Sequence, residues 1–303
     1  MASDPYHAHA AFVRPAAGHA EVWRILFMMM GFEAAFWLTP NLLVLLLPGT
    51  LSAAYIEGTS TFATLLQFAS FGIVAALFIG LLRRVHGRGF WSLIGRADIA
   101  LPDLWHTALQ VGAVLLLISF LPTGGGGDGD TPQMRPFLTW FMLLPLSLAV
   151  LLIQVTTEEL YFRGYLQQQL ACRSRNPLLW MGLPSLVFGL SHFGNGIGAA
   201  DSVLYVIWAT ALGMACADLT ARTGTLGAAV GLHFANNIFA ALIVGYEDWP
   251  SSGLALFMYP AFDPSQYDYS LDVLLNPAGL LEIMTSVGLV AVLWLAARVA
   301  VRC

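Results

Sequence analysis

The chain carries eight apolar runs, each near the roughly 20 residues that an α-helix needs to cross a bilayer. They are 22–47, 60–82, 103–122, 137–160, 178–195, 202–221, 225–246 and 278–299. Composition agrees with this pattern, since 58% of the 303 residues are hydrophobic and 10% are charged, whereas soluble domains are about 25% charged. The sequence therefore predicts an all-α polytopic membrane protein with about eight transmembrane helices.

The arginines orient these predicted helices. All 13 basic residues are arginine, and if the spans alternate in direction, twelve lie on one side and only Arg135 lies on the other. Cytoplasmic loops of membrane proteins carry an excess of Lys and Arg. The pattern therefore predicts that the N and C termini are both cytoplasmic.

The spans divide the chain into four parts. These are a cytoplasmic tail (1–21), three helices with a basic cytoplasmic loop at 83–102 (22–136), a core of four helices (137–247), and an external loop with the last helix (248–303). The basic loop is expected to lie on anionic lipid. Gly124 to Gly127 predict a flexible external loop.

The longest external loop, 248–277, is rich in aromatic residues, and this favours an interfacial aromatic belt over a substrate lid. The residues are Trp249, Tyr259, Phe262, Tyr267 and Tyr269. The cysteines are Cys172, Cys216 and Cys303, and their odd number and scattered positions indicate neither a disulfide framework nor a thiolate metal site. No basic stripe with interleaved aromatics is present, so nucleic acid is not an expected partner.

Glu158 and Glu159 are adjacent carboxylates at the end of the fourth apolar run. An acidic residue at the centre of a membrane helix costs about 2.5 to 3.5 kcal/mol, so two in succession need a reason. Glu159 and Arg163 are i,i+4 neighbours in the favourable acid-before-base order and are predicted to pair. Glu158 points about 100° further round the helix and has no partner there. The alternative is that both acids lie at the helix end in headgroups or water.

Two other predicted spans also contain pairs of side chains at helical spacing. Phe188 and His192 are i,i+4 in the fifth span, and His233 and Asn237 are i,i+4 in the seventh. At about 1.5 Å of rise per residue, His192, His233 and Asn237 can converge with Glu158 in the inner to middle region of the bilayer. A carboxylate with a histidine can deprotonate water, and a second histidine with an asparagine can donate to an oxyanion. The alternative is that they are polar contacts between packed helices.

Three sequence motifs resemble those of a known family. The segments EELYFRGYL (158–166), FGLSHF (188–193) and RTGTLGAAVGLHFANN (222–237) are similar to the EExxxR, FxxxH and HxxxN motifs of the CPBP family, the type II CAAX prenyl proteases and bacteriocin-processing enzymes also called Abi proteins. The resemblance covers about 150–245, and it implies an intramembrane endopeptidase.

The resemblance also implies a role for each motif residue. Glu158 and His192 would activate the attacking water, and His233 with Asn237 would form the oxyanion hole. Glu159, Arg163 and Phe188 would support the structure of the site.

The expected cofactor is none. If a metal ion were bound, Glu158, His192 and His233 would be the ligands for Zn²⁺, but the HExxH spacing of helical zinc proteases is absent from the sequence. The expected substrate is a membrane-associated peptide or protein, either CAAX-like or carrying a leader. The expected location is the inner membrane of a bacterium, with the lipid bilayer as the surrounding partner.

Two other functions remain open at this point. A non-catalytic scaffold would use the same polar residues as contacts between helices. A small-solute transporter would use Glu33, midway along the first span, as a proton-coupling carboxylate, although the chain shows no internal repeat of the kind common in transporters.

Overall fold

The computed structural model describes residues 5–121, 131–261, 263, 265 and 268–303. The described part is 78% helical, and its only strands are three segments of two or three residues. The predicted all-α polytopic membrane class is confirmed. The predicted glycine loop 124–127 and two aromatic residues of the external loop, Phe262 and Tyr267, lie outside the described residues.

Eight main helices follow the order of the predicted spans. They are α1 (Val22–Leu46), α2 (Thr61–His86), α3 (Ala97–Ser119), α4 (Phe137–Tyr161), α5 (Leu183–Ser191), α6 (Ala199–Thr223), α7 (Gly227–Ile238) and α8 (Pro277–Ala300). Shorter helical segments are His9–Val13, Arg14–Ala16, Gly49–Glu57, Trp91–Ile94, Phe193–Asn195, Ser252–Leu254 and Leu271–Leu275.

Six of these helices in the described part of the chain are long and apolar enough to cross a membrane. The two that are not are α5 and α7, which correspond to the predicted spans 178–195 and 225–246. The count of eight crossings is therefore not confirmed. Both shorter helices carry motif residues.

Wide π-helical turns adjoin three of the helices. Phe162–Gln167 continues α4 and leads into Gln168–Ala171, Leu178–Gly182 precedes α5, and Phe239–Ile243 follows α7. Such turns change the angular spacing of side chains along a helix and are frequent at functional sites. Here each lies within or next to a segment that carries one of the three motifs.

Helix starts follow local sequence signals. The Asn276 side chain accepts a hydrogen bond from the Gly279 amide at 2.9 Å, and Pro277 occupies the first helical position. The Asn176 side chain likewise accepts from the Leu178 amide at 3.0 Å, with Pro177 between them. Proline is tolerated at both places because no amide donor is needed there.

Close helix contacts depend on small residues. Gly227 and Gly231, one turn apart on α7, lie against the backbone of Ala100 and Leu104 on α3, and a Cβ at either glycine would overlap a carbonyl oxygen. Small residues at this spacing let two membrane helices approach closely. The contact between α3 and α7 fixes α7 from the side opposite the motif residues of α4.

The two ends of the described chain meet at one end of the bundle. Asp218 on α6 accepts hydrogen bonds from Tyr6 at 2.8 Å, from Arg222 at 2.7 Å and from Trp294 on α8 at 2.8 Å. The N-terminal segment and the end of α8 therefore lie on the same side. Asp218 and Arg222, at i,i+4 spacing, also form an ion pair.

The basic segment 83–102 is partly buried in the protein. Its first residues belong to α2 and its last to α3, and between them Arg88 and Leu93 are buried against the protein. Arg88 donates to the Ser92 carbonyl at 3.2 Å and to the Gln168 side chain. Arg88 and Leu93 therefore pack on the protein, while Arg83, Arg84 and Arg96 are exposed, and the contact of this segment with anionic lipid stays a prediction.

A small sheet covers the opposite end of the bundle. Strand β1 (Gln133–Met134) pairs antiparallel with β3 (Phe257–Tyr259), which pairs parallel with β2 (Val244–Tyr246). Arg135 donates to the carbonyl oxygen of Gly253 at 2.8 Å. Since the 252–256 segment is buried, this part of the predicted external loop packs on the protein.

Candidate active site

The site is built around a buried ion pair between α4 and the π-helical turn that continues it. Arg163 Nη1 donates to Glu159 Oε1 at 3.0 Å, and the side chains are 1% and 0% exposed. The other guanidinium nitrogens of Arg163, Nε and Nη2, have no hydrogen-bond partner among the described residues. The predicted i,i+4 pair is confirmed, and Glu159 is the counter-ion on which the buried charge depends.

Two neighbours hold Arg163 in place. Its guanidinium lies over the Phe188 ring, 4.6 Å from the ring centre, an arrangement that attracts a cation. Gly213 on α6 leaves the space that the guanidinium fills, since a Cβ there would lie 2.8 Å from Arg163 Nη2. Phe188 therefore joins α5 to the ion pair.

His233 on α7 connects the two adjacent carboxylates. Its Nδ1 lies 2.8 Å from Glu159 Oε1, and its Nε2 lies 3.6 Å from Glu158 Oε2. Glu159 thus accepts from both Arg163 and His233. The shorter contact orients the imidazole, and the longer one leaves Glu158 Oε2 without a hydrogen-bond partner among the described residues.

A second contact between α4 and α7 lies one helical turn away. Asn237 Nδ2 donates to Gln154 Oε1 at 3.1 Å, and Asn236 Nδ2 donates to Asn237 Oδ1 at 3.0 Å. Gln154 was not identified from the sequence, where it was read as part of an apolar run. Its position four residues before Glu158 would have revealed it, because residues at that spacing share a helix face.

His192 lies where α5 ends. Its Nδ1 lies 2.7 Å from the Phe188 carbonyl oxygen, which can only accept, so Nδ1 donates and Nε2 is the nitrogen with a free lone pair. The His192 ring lies 4.5 Å from the Phe188 ring, and the His233 ring lies 5.6 Å from it. Phe188 therefore contacts both histidine rings. Among the described residues, His192 shares neither an ion pair nor a hydrogen bond with Glu158.

The predicted metal ligands were tested against the same geometry. Among the residues that the structure describes, no three His, Cys, Asp or Glu side chains are placed to hold a metal ion together. Glu158 and His233 approach each other, but His192 does not complete a set with them. The residues present do not fit the Zn²⁺ site that Glu158, His192 and His233 were considered for.

Glu33, the carboxylate that a transporter would use, does not join this site. It is exposed on α1, and no hydrogen bond or ion pair of the described residues links it to the motif side chains. Its neighbour Phe32 stacks on Tyr161 of α4 with ring centres 3.7 Å apart. This face of α4 packs through aromatic side chains.

Comparison with known proteins finds a family match for the part of the chain that contains this site. Residues 140–239 match the family of type II CAAX prenyl endopeptidases described as Rce1-like. The matched range contains every motif residue named above and also Gln154. The resemblance predicted from the three motifs is confirmed: this third of an integral membrane protein is similar to the Rce1-like family.

One curated relative is similar to this chain over a segment of comparable length. The uncharacterized protein YyaK of Bacillus subtilis (strain 168) is 32% identical over 117 residues, which are 38% of this chain and 39% of the relative. The match thus spans about two fifths of that protein. No solved structure matches the chain.

Proposed function

We propose that the protein is an intramembrane endopeptidase that hydrolyses a peptide bond in a membrane-associated peptide or protein. Two findings support this proposal: the match to the CAAX endopeptidase family and the arrangement of Glu158 beside His233. Likeness to a Bacillus protein supports the inner membrane of a bacterium as the location. Substrates of the CAAX-like and leader-bearing kinds both fit this class.

The state of Glu158 is the observation that carries the proposal. Its side chain is only 13% exposed, and its buried Oε2 atom has no hydrogen-bond partner among the described residues. Unlike Glu159, which pairs with Arg163, Glu158 has no arginine partner among the described residues. A general base needs a carboxylate oxygen that is free to take a proton in this way.

The proposed reaction uses side chains of this chain alone. A water molecule attacks the carbonyl carbon of the scissile bond while Glu158, assisted by His192 Nε2, takes its proton. The carbonyl oxygen becomes an oxyanion that accepts hydrogen bonds from His233 and Asn237. The C–N bond then breaks, and the proton passes to the leaving nitrogen, which gives one carboxylate and one amine.

His233 needs a second proton for its proposed role. Because Nδ1 is engaged with Glu159 at 2.8 Å, Nε2 can donate to an oxyanion only when both ring nitrogens carry hydrogen. Glu159 therefore supports the oxyanion hole through His233 as well as pairing with Arg163.

The test compares peptide termini in membranes from cells that express wild type or Glu158→Gln at equal levels. The substitution keeps the shape of the side chain and removes the base, so the fold should persist while hydrolysis stops. New termini that appear only with wild type would support the proposal and would identify the substrate. Identical termini from two folded proteins would overturn it in favour of a non-catalytic membrane protein.

A further inference from the structure

Gln154 is a buried polar side chain in an apolar part of α4. It is 6% exposed and lies four residues before Glu158, on the same helix face and about 6 Å away along the axis. Its Oε1 accepts from Asn237 Nδ2 at 3.1 Å. Buried amides in membrane helices are rare and costly enough to need a role.

The contacts of Asn237 suggest what that role is. Its Oδ1 accepts from Asn236 and one of its two Nδ2 hydrogens goes to Gln154. The amide group is therefore held at both ends and cannot rotate by half a turn without losing both bonds. The second Nδ2 hydrogen remains as a donor with a fixed direction.

The two helices place these residues in register. Gln154 contacts Asn237. One turn later on α4 and one turn earlier on α7, Glu158 faces His233 at 3.6 Å. Earlier residues of α4 pair with later residues of α7, so the helices are antiparallel here. We name these four residues, Gln154, Glu158, His233 and Asn237, the polar ladder. One rung presents the base and a histidine, and the next presents a fixed amide donor.

We propose that Gln154 is a positioning residue that fixes the Asn237 amide so that its free N–H points at the oxyanion of the reaction. The inference rests on the proposed function, since it assigns a supporting residue to the same site. It extends the site to a residue outside the three motifs. The parallel with Glu159 is close, because Glu159 orients His233 as Gln154 orients Asn237.

A simple packing role predicts a different behaviour. A hydrogen bond between membrane helices contributes on average about 0.6 kcal/mol to stability, and its loss would not depend on what Asn237 does in the reaction. A positioning role predicts that loss of Gln154 lowers kcat and leaves KM unchanged, because the oxyanion exists only in the transition state. It also predicts that Gln154 has no effect once Asn237 is gone.

The experiment is a double-mutant cycle in kinetics with purified protein in micelles. The proteins are wild type, Gln154→Leu, Asn237→Ala and the double variant, with Ser147→Ala as a control polar residue on α4 and Glu158→Gln as the inactive reference. Among the described residues, Ser147 bonds only to the carbonyl of Leu143 on its own helix. The probe is a quenched fluorescent ten-residue peptide that spans the bond identified from the termini and carries an acyl anchor.

We expect Gln154→Leu to lower kcat about tenfold in wild type, the effect of one lost buried hydrogen bond, with KM unchanged. Asn237→Ala should lower kcat about 100-fold or more, and adding Gln154→Leu to it should change kcat less than about twofold. Ser147→Ala should behave as wild type.

Two results would overturn the inference, and they are distinguishable. If Gln154→Leu lowers kcat by the same factor with and without Asn237, or raises only KM, Gln154 does not act through Asn237, while the protease function stands. If wild type cleaves the probe no faster than Glu158→Gln, the proposed function fails and the inference fails with it.

Discussion

The adjacent carboxylates Glu158 and Glu159 should respond in opposite ways to the same substitution. Each is changed to glutamine, which keeps size and shape and removes one charge. Glu159→Gln is expected to destabilise the protein strongly, and Glu158→Gln is expected to leave stability nearly unchanged while abolishing hydrolysis.

The magnitudes follow from the contacts of the two side chains. Glu159 is fully buried, is bonded to Arg163 at 3.0 Å, and is the only hydrogen-bonding partner of that guanidinium in the described structure. Removing one partner of a buried ion pair costs about 3 to 5 kcal/mol, because the other charge is left uncompensated. Glu158 makes no hydrogen bond through Oε2 and lies 3.6 Å from His233, so its loss should cost under about 1 kcal/mol.

The assay is unfolding in mixed micelles by titration with a denaturing detergent, followed by tryptophan fluorescence. Both variants and wild type are measured at equal protein and lipid concentrations, and the shift in midpoint is compared. A third protein, Glu159→Gln with Arg163→Met, is the control. Replacing both charges of a buried pair with neutral groups is often close to neutral, so this variant should regain much of the lost stability.

Equal midpoints for the Glu159→Gln and Glu158→Gln proteins would refute this reasoning. So would a double variant less stable than Glu159→Gln alone, because the cost would then not arise from an unpaired Arg163. Either result would mean that the stability cost does not come from the buried ion pair.

Three further predictions concern packing, pH and metal. Gly213→Ala should lower the free energy of unfolding by about 1 to 3 kcal/mol through overpacking, because the new methyl group meets Arg163. Gly182→Ala is the control and should not lower it, because a methyl group there has open space. The midpoints of detergent unfolding compare the two variants. Burial against Trp180 lowers the pKa of His9 from 6.5 to about 4. Between these pH values the undocked N-terminal segment therefore binds more protons than the docked one. Docking of the segment weakens as pH falls, by about 2 kcal/mol from pH 7 to pH 5. Hydrogen exchange of residues 5–21 checks this, and His9→Gln should remove the pH dependence. A zinc chelator should leave the rate of peptide hydrolysis unchanged; a loss of rate restored by added Zn²⁺ would contradict this.

Much of the site was predictable because its residues repeat at i,i+4 within helices. The Glu159–Arg163 pair and the shared face of His233 and Asn237 follow from helical geometry alone. Contacts between helices did not follow, since the sequence does not specify which helices are neighbours. The interaction of His233 with Glu159 and the partnership of Asn237 with Gln154 appeared only in the fold.

The fold was predictable where hydropathy alone sets helix length. The six long helices agree with predicted spans, while α5 and α7 are shorter than their apolar runs because π turns and short extended or 3₁₀ segments take up the remainder. Hydropathy did not predict the burial of Arg88. A basic residue in a loop reads as exposed, but here neutral side chains such as Gln168 accept its hydrogen bonds and allow its burial.

The central claim is that Glu158 is the base for peptide hydrolysis. Its most direct test is the rate at which purified wild type and Glu158→Gln, reconstituted in the same lipid vesicles, cleave the anchored fluorescent peptide. The account predicts cleavage by wild type and a rate for the folded variant at least about 100-fold lower. Equal rates for the two proteins would contradict it.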